Sequence, residues 1–163
     1  MRPLRPPSAI PRYTPTPIVA AYRSGPLRGR LRGVIMTGAF LAEAAATVDN
    51  KLNVQGGVLS RYTVGPDRWA QFMLVVLTRA DGEDSDTRRV TVEIRPPTLE
   101  EPLEQQFEVP EASIGEFPGF AFFDLAVNLP SDGRWVIVVN GGTDVVSLPL
   151  EVSSWTPPAQ LEL

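Results

Sequence analysis

This sequence predicts an all-β fold, and three observations carry the prediction. Apolar and polar residues alternate through several short runs, which is the signature of a half-buried strand. Two further runs are apolar on both faces. Turn-forming residues separate the runs at spacings of about 8–12 residues. We therefore expect a single antiparallel β-sandwich, immunoglobulin-like in class, of about seven or eight strands. It should span residues 36–155, between a basic arm at 1–35 and a short tail at 156–163.

The first patterned stretch runs from Gly38 to Thr47. Its alanines favour a helix by propensity. Phe40, Ala42, Ala44, Ala46 and Val48 also alternate, however, and the turn Val48-Asp49-Asn50-Lys51-Leu52 follows at once, so a strand of small residues is expected, with a helix as the alternative. Phe72–Leu77 and Trp135–Val139 are apolar throughout and read as central strands, covered on both sides or lying at an interface. In Arg89–Arg95, Val90, Val92 and Ile94 should face inward; in Leu103–Val109, so should Leu103, Phe107 and Val109. Phe120–Val127 carries apolar bulk on both parities, which predicts a core on one side and a second layer on the other. Pro130-Ser131-Asp132-Gly133 and Asn140-Gly141-Gly142-Thr143 should close two hairpins. In Val145–Val152 the inner set is Val146, Leu148, Leu150 and Val152. Pro149 falls on the outer set, which predicts an edge strand.

The formal net charge of -4 hides an uneven distribution. Residues 1–35 hold seven arginines and no acid, so the arm is +7; eight basic groups and all nineteen acids leave the remainder at -11. The arm's seven prolines break helices and strands alike, and with few large apolar side chains it should be disordered or extended. Three readings of it are open. It could neutralise nucleic-acid phosphates, with Tyr13 and Tyr22 for stacking, or lie against the acidic domain, its own or a neighbour's. Alternatively, Met36 is the natural start. The domain's acidity argues against nucleic acid as its own partner. No run approaches the roughly 20 apolar residues of a membrane span, nor does the arm hold the roughly 7–15 of a signal peptide, which predicts a cytoplasmic protein.

The chain has neither cysteine nor histidine. That removes thiol chemistry, Ser-His-Asp and Cys-His triads and almost every zinc site, so no cofactor is expected and a non-enzymatic role is favoured.

Met36–Ala45, followed by Asp49–Gly57 with its Gly56-Gly57 pair, resembles the opening of a family of uncharacterised, mainly actinobacterial, small β-sandwich proteins. The resemblance implies a sandwich over about residues 36–153 and carries over no functional residue. It also implies that residues 1–35 lie outside the family's usual extent. Pro130–Val152 is similar to the terminal hairpin of many immunoglobulin-like sandwiches.

Candidate functional residues fall in four groups. Asp81, Glu83, Asp84 and Asp86 form the densest acidic loop and offer hard oxygen ligands for calcium, or polar groups for a carbohydrate; a solvated hairpin tip is the stronger reading. Glu100, Glu101, Glu104, Glu108, Glu111 and Glu116 could supply a hydrolase carboxylate pair, although Glu104 and Glu108 fall on the outer face of their strand. Phe117, Phe120 and Phe122 mark a candidate interface with a protein partner or a second copy. Lys51, in a turn, should be protonated and unreactive. Gly56-Gly57 lacks the Lys-Ser/Thr of a phosphate loop and reads as a bulge or tight connection. Together these features favour an intracellular binding or assembly module working through a sheet face or its loops.

Overall fold

The computed structural model describes residues 20–21, 34–80, 88–142 and 144–159. The candidate calcium loop, Asp81 to Asp86, lies outside the described residues, as does most of the arm.

The described chain is all-β. The strands are β1 (Ala20–Ala21), β2 (Val34–Ala42), β3 (Ala44–Val48), β4 (Lys51–Gln55), β5 (Arg61–Val64), β6 (Trp69–Ala80), β7 (Arg89–Arg95), β8 (Leu103–Glu108), β9 (Gly119–Asn128), β10 (Gly133–Asn140) and β11 (Val145–Ser154). A single 3-10 turn, Glu111–Ser113, interrupts them. One sheet has the order β1-β9-β6-β2 and a second has β5-β11-β10-β7-β8, while β3 and β4 pair only with each other. Inward side chains from both larger sheets meet in one core that includes Leu41, Phe72, Leu74, Phe123, Ile94, Ile137 and Leu150. Phe107 stacks on Phe123 across it, with ring centroids 4.8 Å apart.

The strand assignment from Gly38 to Thr47 needs one correction, because the segment is two strands in different sheets. In β2 a bulge between Met36 and Gly38 changes the phase. Val34 and Met36 before it, and Ala39 and Leu41 after it, therefore all reach the main core. Phe40 and Ala42 point to the opposite face. The chain bends at Glu43, and β3 and β4 fold back over that outer face. Ala45 and Thr47 now face the sheet while Ala44, Ala46 and Val48 are exposed, the reverse of a continuous alternation. Asp49 and Asn50 both have positive φ, 49° and 59°, which is the geometry of a tight two-residue hairpin turn.

Three other expectations change. Pro130–Gly133 closes no hairpin, since it joins β9 in the first sheet to β10 in the second. Leu103 is 48% exposed because β8 is an edge strand and only its far end, at Phe107, reaches the core. β11 is flanked on both sides, and its pairing with β5 is parallel, so the fold is not wholly antiparallel. Pro149 is still accommodated as an edge residue. The Glu151 N–H donates to Ser60 on the β5 side, so by alternation the Pro149 nitrogen also faces that side, ahead of the first paired residue.

Arg68 ties one end of the two sheets together. It lies in the β5–β6 connection at φ 62°. Its Nε donates to the Leu129 carbonyl at 2.8 Å and its Nη1 to Ser154 Oγ at 2.7 Å. The same Nη1 is 2.8 Å from Asp132 Oδ1. Asp132 also accepts from the Ser154 backbone N–H and hydroxyl. One guanidinium thus links the start of β6, the β9–β10 connection and the end of β11. The hydrogen bonds from Ser154, then that from Arg68, hold the Asp132 carboxyl below its ordinary value of 3.8.

A depressed carboxyl pKa adds stability above the unfolded-state value and loses it as pH falls through the folded one. The stability gap between the natural chain and Asp132→Asn should therefore be level near neutrality and close as pH drops below about 4. Arg68→Ala should cost about 1–3 kcal/mol in urea denaturation, because it leaves the Leu129 carbonyl without its donor.

Candidate functional site

The outer face of the first sheet is where the structure departs most from a solvated surface. Cross-strand register places Phe40, Val75 and Phe122 in one row, and Ala42, Met73 and Asp124 in the next. Ala42, Val75, Phe120 and Phe122 are buried there as a second apolar cluster, with Ala45 and Leu52 of the β3–β4 hairpin packed against it. The hairpin is thus the second layer that the two-faced pattern of Phe120–Val127 requires.

The hairpin leaves part of this face uncovered. Where β3 leaves β2, a cleft of about 430 Å³ is lined by Glu43, Ala44, Ala45, Gln71, Phe72, Met73, Phe122 and Asp124. That volume is within the range of small-ligand sites. Its apolar lining includes Met73 and Phe122, and it carries two carboxylates. Asp124 Oδ2 accepts from Gln71 Nε2 at 2.9 Å. Asp124 Oδ1 is buried and has no hydrogen-bond partner among the described residues. An acceptor left in this state is costly, since it has lost its water and gained no donor.

Glu43 is positioned by its backbone and by one glycine. Its N–H donates to the Gln55 carbonyl at 3.0 Å, fixing the base of the hairpin. Its side chain then lies across Gly56, where a Cβ would collide with Glu43 Cγ and Cδ. Gly56 also has φ +62°, so both the turn and the close approach favour glycine. Gly56-Gly57 is therefore a tight connection, as expected.

The sequence-derived candidates fall elsewhere or are only partly assembled. Phe122 is 2% exposed and lines the cleft, and Phe120 is 8% exposed under the same layer. Phe117 is 68% exposed and lies ahead of β9, outside the cleft. Glu100, Glu101, Glu104, Glu108, Glu111 and Glu116 are all exposed, on or beside β8 and in the connection to β9, and none lines the cleft. Glu104 accepts from Gln106, and Glu108 from Arg88. Lys51 is exposed at the hairpin turn. Among the described residues, no group of three or more Asp or Glu side chains could hold a metal ion, and no helix is long and apolar enough to cross a membrane.

Glu43 and Asp124 are not singled out by motif, yet each leaves a trace in the sequence. Asp124 is the one charge within Gly119–Asn128, and Glu43 is the one charge between Gly38 and Val48. A lone charge in an apolar strand is the informative exception to hydrophobic burial.

The cleft offers two carboxylates and the Gln71 amide beside an apolar floor, with no hydroxyl, thiol, amine or imidazole side chain in its lining. That chemistry suits a cation carried on an apolar stem. Comparison with protein-family models, curated proteins and solved structures returns no match to this chain.

If Asp124 serves a ligand rather than the fold, replacing it should raise stability. Asp124→Leu is expected to gain about 0.5–2 kcal/mol in thermal or urea unfolding. A loss larger than about 1 kcal/mol would make Asp124 a structural residue.

Proposed function

We propose that the protein is a non-enzymatic binding module, an immunoglobulin-like sandwich in class, whose cleft receives a basic side chain from an extended peptide partner in the cytoplasm. The observation that carries this reading is the Asp124 carboxylate, one of whose oxygens is buried without a donor above an apolar floor. An arginine or lysine supplies what is missing. Its methylene stem would lie on Met73 and Phe122, and its charged head would donate to Asp124 and face Glu43. The Phe122 ring in the lining favours arginine over lysine, because a planar guanidinium can also stack on an aromatic face.

The residues that build the cleft from the hairpin side, Glu43 to Gly56, fall within the stretch resembling the actinobacterial β-sandwich family. Membership of that family is part of this proposal.

Calorimetric titration with a short arginine-containing peptide tests the reading. Affinity should fall at least about tenfold in Asp124→Asn, a loss of about 1.4 kcal/mol. Glu43→Gln, on the exposed rim, should cost a few-fold and reduce the salt dependence. Equal binding by the double variant and the natural chain would refute the reading.

A further inference from the structure

The face that holds the cleft continues past it. Ala70, Phe72 and Leu74 of β6 belong to the main core, so alternation sends Trp69, Gln71 and Met73 to the outer face. Burial follows the same period, with Trp69 and Gln71 exposed and Met73 half-buried. β9 extends the face beside them, placing Asp124 opposite Met73, Ala126 opposite Gln71 and Asn128 opposite Trp69. β2 reaches only as far as Ala42, opposite Met73. The β3–β4 hairpin packs toward the other end of the face, on Phe120 and Phe122. Trp69, 57% exposed, therefore stands two rows beyond the cleft on one strip of sheet.

The two ends of the strip repeat one chemistry. At the cleft, Met73 and Phe122 form an apolar floor beside the Asp124 and Glu43 carboxylates. At the far end the Trp69 indole is the apolar surface and Asp67 supplies the carboxylate. Asp67 Oδ1 accepts from the Trp69 backbone N–H at 3.2 Å, which keeps the acid beside that residue. Asp67 is exposed and makes no ion pair among the described residues. Gln71, Ala126 and Asn128, between and beside the two ends, are uncharged. Arg68 is adjacent in sequence, but its guanidinium is 2.8 Å from Asp132, which balances its charge. An exposed indole is the best aromatic surface for a cation, and an acid beside it adds to the attraction.

We propose that Trp69 is a second anchor for the same partner, an extended peptide carrying two basic residues four positions apart. This rests on the cleft reading, which supplies the first anchor. The spacing comes from strand geometry. Met73 and Trp69 are four residues apart in β6, which is about 13 Å at about 3.3 Å per residue. An extended peptide lying along the strip rises by the same amount, and its residues i and i+4 point to the same side. A residue at i+3 points away from the sheet, and one at i+2 stops about 7 Å short. The first cation meets Asp124 and Glu43; the second lies on the Trp69 ring with Asp67 beside it.

Calorimetric titration of the full-length chain with end-blocked peptides tests the spacing. Arg-Thr-Val-Thr-Arg and Arg-Thr-Val-Arg-Thr have the same composition and charge, so general attraction to an acidic domain is equal for both. Their β-branched residues favour the extended form. The first should bind at least about fivefold tighter than the second, and than Arg-Thr-Val-Thr-Leu. Trp69→Ala should bring the two isomers within about twofold of each other, and Asp124→Asn should weaken all three peptides. Isomers of equal affinity for the natural chain would overturn the proposal. So would a preference that survives Trp69→Ala, or Arg-Thr-Val-Thr-Leu binding as tightly as Arg-Thr-Val-Thr-Arg, which would make the second contact apolar. Equal isomers whose binding still depends on Asp124 would remove the second anchor and leave the cleft reading in place. Binding by none of the peptides would remove both.

Discussion

The fold depends on one constraint, that β6 and β9 are apolar on both faces. Phe72, Leu74 and Val76 face the second sheet while Met73, Val75 and Leu77 face the other way. In β9 the same division separates Phe123 and Leu125 from Phe120 and Phe122. A sheet with two apolar faces must be covered twice. The second sheet covers one face completely. The β3–β4 hairpin covers the other only in part, being two short strands over a four-stranded sheet. The cleft is the remainder of that unequal coverage, and both of its carboxylates lie where the cover ends.

Much of this was legible in the sequence, since period-two alternation depends only on which residues reach a core. β7 has the bounds its pattern gives, and Val90, Val92 and Ile94 are buried as a set. The double-sided character of Phe120–Val127 correctly required a second layer. What alternation does not contain is the identity of the neighbouring strand. Pro130–Gly133 has the composition of a hairpin turn whether the chain returns beside itself or crosses to the facing sheet. The bend at Glu43 was hidden for a related reason. A strand that folds over its own sheet reverses its inward parity, and small alanines on both parities conceal the reversal.

The site was less legible than the fold because nothing in it is a motif. Asp124 and Glu43 are about eighty residues apart in sequence, and only the fold of the hairpin over β9 places both on one cleft. Dense acidic stretches attract attention in a sequence, yet around β8 they are solvated charges with ordinary surface partners such as Arg88 and Gln106. The more telling signal is scarcity, one carboxylate in an otherwise uncharged strand.

The central claim is that the uncovered part of this apolar face is a binding site for a basic side chain. The three methionines, Met1, Met36 and Met73, provide the most direct reporters. Met73 lines the cleft, and Met36, 3% exposed, belongs to the main core. Methyl NMR of the selectively labelled protein during titration with an arginine peptide should shift the Met73 methyl saturably and leave Met36 in place. An unmoved Met73 signal, or Met36 and Met73 shifting together, would contradict the account.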